Sequence, residues 1–248
     1  MRSSALLVCL VAACSSPDEA TPDAPISVDA SPDATADAAT GVPLAGFGDL
    51  AGMCGVLDDP ELTGTSPSIV HASLTFARRY NDPDDRPLLT TGGARMMATP
   101  NAGGSSGLSE AFAYEQLARC ELAPLLKTET EIVYDTVGKI TDLMVTIDGH
   151  KIGVSVTRAV AYPFGQPYTL AAATTLLMRK LQDIQASTAN VSMSDRWEKQ
   201  VLAYMSWDDQ STAVLDQAWA GMDPSVKSDT ILLITTTHGD DQFLYTNN

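Results

Sequence analysis

Few residues in this chain are of types and spacings that could do chemistry. Asp142 stands just ahead of an Asp148-Gly149 pair, and Ser155 and Thr157 stand two apart on the other side of it. Asp-Gly between two alternating apolar runs is the strongest short-range hairpin signal. A two-residue turn would set Asp142 opposite Ser155, Leu143 opposite Val154 and Val145 opposite Ile152. One carboxylate flanked by two hydroxyls carries a single negative charge, a poor holder of a hard divalent cation unless a second acid joins it. Glu115, on the apolar stripe of a helix with Leu108, Phe112, Ala118 and Leu122, could be that acid. Glu110 competes with it. The plainer readings are that Asp142 accepts a hydrogen bond from Ser155 and that Glu115 pairs with Arg119 one helical turn on.

Other patterns carry less. Gly153-Val154-Ser155-Val156-Thr157 approaches a serine-hydrolase elbow but lacks its second glycine and continues as a strand. His71, His150 and His238 are isolated, with no metal-ligand spacing among them. The glycines between Thr90 and Gly107 have no Gly-Lys-Ser/Thr ending, so that stretch reads as a surface loop and not a phosphate cradle. Asp240-Asp241 reads as a solvated tail.

The elements that must position these residues follow from period. The helical period predicts helices over 109–122, 169–187 and 212–222, with Thr169 as a cap. Alternation predicts strands over 131–137, 140–147 and 151–160, and further strands over 201–207 and 230–237. Residues 69–76 suit a strand or a short helix. The unbroken Ile231-Leu232-Leu233-Ile234 run suits a strand buried on both faces. The fold class expected is α/β, a mixed central sheet flanked by helices in the order αβββαβαβ. Strand parity puts Ser155 and Thr157 on one face and Arg158 on the other.

That order over residues 109–237, with Asp142 on its second strand, resembles the restriction-endonuclease-like fold of the PD-(D/E)XK nuclease superfamily. The resemblance implies a divalent-metal site made by an aspartate on the second strand, an acidic-x-lysine on the third and often a glutamate from the first helix. Asp142 falls on the aspartate. Ser155 falls on the third-strand acid and Thr157 on the lysine, so both of those groups are lost. The expectation is a nuclease-like scaffold without the reaction, with no catalytic residue, metal or cofactor, used to bind a protein or small-molecule ligand. The alternative is a Mg²⁺-dependent phosphoester hydrolase using Asp142 and Glu115, with Ser155 and Thr157 beside them.

Charge and composition set the location and partners. The chain has 248 residues, 31 acidic against 15 basic, and a net charge of -16. Without a Lys/Arg-rich run it would repel nucleic-acid phosphates, which argues against a nucleic-acid partner. Residues 1–13 read as a signal peptide, its apolar stretch too short to span a bilayer. Its end, Val11-Ala12-Ala13-Cys14, resembles the lipobox of bacterial lipoproteins. That resemblance implies lipidation of Cys14 and a membrane partner through the lipid; Ser15 after the cysteine implies the outer membrane. Residues 14–43 form an acidic Pro/Ala/Asp linker that cannot bury enough apolar surface to order itself, and residues 44–248 a single α/β domain. Cys9 leaves with the leader and Cys14 is lipidated, so Cys54 and Cys120 remain to form one disulfide outside the cytoplasm.

Overall fold

The computed structural model describes residues 42–102 and 106–246. The leader, Cys9, Cys14, nearly all of the linker and the Gly103-Gly104 pair lie outside the described residues. Among those described, a seven-stranded mixed sheet has the order β1-β2-β7-β6-β5-β4-β3. Its strands are β1 Asp49–Gly52, β2 Ser68–Phe76, β3 Leu125–Thr128, β4 Leu143–Ile147, β5 His150–Ala159, β6 Lys199–Ser206 and β7 Ile231–Gly239. The centre, β2-β7-β6-β5, is parallel, and β1, β4 and β3 add antiparallel edges.

Helices cover both faces, as the αβ pattern requires. They are α1 Asp59–Thr63, α2 Thr91–Ala98, α3 Gly107–Cys120, α4 Leu170–Asn190, α5 Asp209–Gly221, α6 Pro224–Lys227 and α7 Phe243–Thr246. Strand parity divides the core into two layers. Val154, Val156, Val201, Ala203, Ile231 and Leu233 share one cluster with Phe112 and Leu117 of α3. Leu202, Tyr204, Leu232 and Ile234 share the other with Leu177, Leu181 and Ile184 of α4 and Leu215 and Trp219 of α5. Alternate residues of the Ile231–Ile234 run thus face opposite helical layers, which is why the run shows no polar alternation. Thr169 caps α4 through the Ala172 amide at 3.3 Å.

The hairpin forms as its turn dictates. Asp148 and Gly149 both have positive φ, 48° and 85°, the backbone of a tight two-residue turn. Leu143 pairs with Val154 and Val145 with Ile152.

Three expectations are corrected and one open reading is resolved. The strand expected over 131–137 is instead the end of a 3₁₀ turn, Glu129–Glu131, followed by irregular chain. The true outer strand, β3, comes earlier, and Thr128 ends it because its amide is taken by the Glu131 carboxylate at 2.8 Å. The stretch expected as a loop over 90–107 contains α2, capped by Thr90, whose hydroxyl accepts the Gly93 amide at 3.2 Å. Its glycines serve packing: a side chain at Gly92 would run into the Tyr114 ring, and one at Gly93 into the Glu115 carboxylate. The ambiguous segment near residue 70 is β2, paired in parallel with β7. The Asp240-Asp241 stretch is not a solvated tail, since Asp241 is buried and bonded by the Thr237 hydroxyl.

Candidate functional site

The register of β4 decides where Asp142 points. Regular pairing runs only as far as Leu143 opposite Val154. The Asp142 amide donates to the Val154 carbonyl at 3.2 Å, a residue already matched to Leu143, so the ladder slips by one position. Such a slip carries the next side chain to the other face. Thr141 takes the place expected for Asp142: its hydroxyl lies 3.4 Å from that of Ser155 and 3.1 Å from that of Ser187 on α4. The Asp142 carboxylate instead accepts the Val156 amide at 2.5 Å and lines a cleft on the α3 side of the sheet. The expected Asp142–Ser155 contact is therefore replaced. Ser155 and Thr157 face α4, away from the cleft.

The cleft measures about 120 Å³ and is lined by residues of α2, α3, the 3₁₀ turn and the start of the hairpin, Glu110, Glu129 and Asp142 among them. Glu110, in the first turn of α3, accepts the Asn101 side-chain amide at 3.0 and 3.1 Å. Lys180 of α4, outside the cleft lining, donates to the Val156 carbonyl at 3.3 Å. Asp142 and Lys180 thus satisfy the amide and the carbonyl of one residue of β5, beyond the point where β4 has ended. Sequence reasoning missed Lys180. Its only signal was position, next to Leu181 and midway between Leu177 and Ile184 on the buried stripe of α4.

The electrostatics of the cleft are those of crowded acids. Burial, reinforced by the negative charge of Glu110, pushes the Asp142 carboxyl up to about 7, although the Val156 amide and the Lys180 charge pull the other way. Burial also raises Glu110, with Glu129 adding to the effect. Neither Glu110 nor Asp142 forms a salt bridge among the described residues. Arg158, on the cleft side by parity, donates to the carbonyls of Leu244 and Tyr245 at 3.1 and 3.4 Å.

Glu115 stands elsewhere. One of its oxygens accepts the Thr90 amide at 2.8 Å and the Thr90 hydroxyl at 2.6 Å, tying the start of α2 to α3. It is fully buried and raised by that burial. Arg119 does not make the expected ion pair with it, but donates to the carbonyls of Leu44, Phe47 and Gly48. Cys54 and Cys120 are bonded to each other, with Cα atoms 4.4 Å apart. The histidines meet acids rather than one another: His71 with Asp216 at 2.8 Å, and His150 with Glu198 at 2.8 Å and Asp59 at 3.0 Å.

Among the described residues no three His, Cys, Asp or Glu side chains form a metal-holding group. The cleft does place the carboxylates of Glu110, Glu129 and Asp142 in one lining, and oxygen donors of that kind are what a hard cation takes.

The fold and site define a mixed α/β protein with an acidic cleft at the start of a hairpin. No family model matches the chain, and no solved structure matches it. A 153-residue stretch, 59% of the chain, is 37% identical to the AAC-rich mRNA clone AAC4 protein of Dictyostelium discoideum. The match spans only 22% of that protein's length, and its name states no activity or ligand.

Proposed function

We propose that the chain is an exported, lipid-tethered protein whose cleft at Glu110 and Asp142, with Lys180 nearby, is a divalent-metal-dependent phosphoester hydrolase site. The observation that carries this reading is that Asp142 shares its cleft with Glu110 and feels the charges of both Glu110 and Lys180. An acid and an amine are the groups whose loss from Ser155 and Thr157 argued for inactivity. Support for the finer fold is topological: helix α3, an antiparallel β3-β4-β5 meander, helix α4 and a parallel β6 follow the restriction-endonuclease-like order. The export reading rests on the leader and Cys14. Among the described residues no helix is long and apolar enough to cross a membrane.

A Mg²⁺ or Mn²⁺ ion held by Glu110 and Asp142 would supply Lewis-acid polarisation of the phosphoryl group and a more acidic bound water. The chain's own residues set the conditions for it. Glu110 and Asp142 would hold the ion through their carboxylates, Glu129 biases the cleft toward cations, and Lys180 would add positive charge near Asp142. The Val156 amide fixes the Asp142 carboxylate in place.

The test is calorimetry of the purified protein with Mg²⁺ and Mn²⁺, alongside hydrolysis of bis(p-nitrophenyl) phosphate and p-nitrophenyl phosphate. Ion binding and turnover, both lost in Asp142→Ala, are expected, with Lys180→Ala losing turnover but keeping the ion. Absence of ion binding would sink the reading. A second reading, binding without catalysis, is favoured by one observation: the cleft face of β5 carries Val154 and Val156 where a third-strand acid would be needed. Ion binding without turnover on either ester would select it.

A further inference from the structure

His150 opens β5 directly after the Asp148-Gly149 turn, and both of its ring nitrogens meet acids. Nδ1 lies 2.8 Å from a Glu198 carboxylate oxygen, and Nε2 lies 3.0 Å from one of Asp59. Neutral imidazole has one N–H donor, and its other nitrogen carries a lone pair. A lone pair facing a carboxylate oxygen at that distance repels it, so one ring serves both acids only as the imidazolium. Glu198 and then Asp59 accordingly raise the His150 pKa above the ordinary 6.5, and His150 in turn lowers that of Glu198.

A single proton thus joins three segments distant in sequence: the first residue of α1, the start of β5 and the residue ahead of β6. Of these, α1 depends most on the contact. It has five residues, too few to be stable alone, and the Asp58 side chain does not cap it. The chain before it is pinned, Cys54 by the disulfide to Cys120 and the Val56 and Leu57 amides by the Glu121 carboxylate at 3.2 and 3.1 Å. The chain after it is pinned where the Gly64 carbonyl accepts from the Lys199 ammonium. Between those pins, α1 is held through the buried Leu62 side chain and the Asp59–His150 pair.

The other charges nearby do not replace the imidazolium. Asp58 and Glu61 flank Asp59, Asp148 lies in the turn and Glu121 follows α3, and none of these acids offers Asp59 a positive charge. Lys151, next in β5, donates to the Ser194 carbonyl at 3.1 Å, and Lys199 is engaged by Gly64. Asp195, in the loop ahead of Glu198, is taken by Lys127 at 2.6 Å.

We propose that His150 is a pH-sensitive latch: protonated, it pins α1 to the hairpin turn and to the entry of β6, and on losing its proton it releases Asp59, so that residues 58–63 open while the sheet stays intact. The folded state favours the proton, so the latch is fully closed below pH 6.5 and is lost as pH rises through the raised folded value. Ion pairs this exposed hold weakly, so the release is local, about threefold to tenfold in opening. No residue of the latch lines the Asp142 cleft.

The experiment is run on the purified, oxidised protein. It combines NMR titration of the imidazole signals, assigned with His150→Gln, and hydrogen exchange read by mass spectrometry from about pH 5.5 to about pH 8.5, corrected for intrinsic rates. The His150 pKa should exceed 6.5 and fall toward it in Asp59→Asn and Glu198→Gln. Exchange over residues 58–63 should quicken about threefold to tenfold across that range, with β6 and β7 unchanged. In His150→Gln it should be fast at every pH, and Asp59→Asn, at a largely exposed carboxylate, should flatten the response in the same way. A His150 pKa at or below 6.5, or an unaltered pH response in both variants, would overturn the proposal.

Discussion

Asp142 is held near its neutral form by burial and by Glu110, and this has a thermodynamic sign. Its folded pKa, about 7, lies above the 3.8 of an ordinary exposed aspartate. The folded state therefore binds more protons. Its relative stability is full below pH 4 and is lost as pH rises through 7. Without divalent metal, Asp142→Asn should raise stability by on the order of 2 kcal/mol at pH 8 and by little at pH 4, read from urea midpoints at the two pH values. An equal effect at both would show that charge is not the cause. Thr90 is the residue-scale counterpart in the scaffold. It caps α2 and donates to Glu115, so Thr90→Ala should cost about 1–3 kcal/mol, a cap plus a hydrogen bond to a buried acid. The residue types at the site were legible in the sequence, Asp142 and Glu110 among them. Which of Glu110 and Glu115 shares the cleft with Asp142 was not, because two positions on one helix, both buried, differ only in what the neighbouring elements bring to them.

The hairpin and α2 show what decides at the scale of elements. The β4–β5 pairing was readable because an Asp-Gly turn fixes its own register. The face of Asp142 was not, because a one-residue slip reverses side-chain direction and leaves no mark in an alternating pattern. The same limit hid α2. Glycine-rich sequence reads as loop, yet here two glycines let a helix lie against Tyr114 and Glu115 of α3. Gly92→Ala should accordingly separate α2 from α3 and cost more than about 1 kcal/mol, the propensity gain of alanine notwithstanding. Thermal melts of the variant would check it, and a stabilised protein would contradict the packing. Gly153 on β5 makes a comparable approach to the Trp197 ring, where a Cβ would come within 2.7 Å.

Across the whole molecule, the disulfide ties the first turn of the domain to the end of α3. It spans 66 residues, and by chain entropy its reduction should cost about 3–4 kcal/mol. A Cys54→Ala/Cys120→Ala protein should melt several degrees lower than the oxidised one. Equal melting points would mean the bridge adds nothing. Cys14→Ser should move the protein from the membrane to the soluble fraction if the leader is read correctly, and unchanged fractionation would refute the lipid anchor. The acidic balance, the cysteine pair and the αβ layering were determined by sequence alone, because each depends on composition or on a period short enough to read along the chain. Only the tertiary structure decided that Asp142 faces α3, that Glu110 rather than Glu115 is its companion, and that Lys180 arrives from the opposite helical layer. Those contacts join segments about 30 to 70 residues apart, and no local pattern encodes which buried side chain a distant strand end will meet.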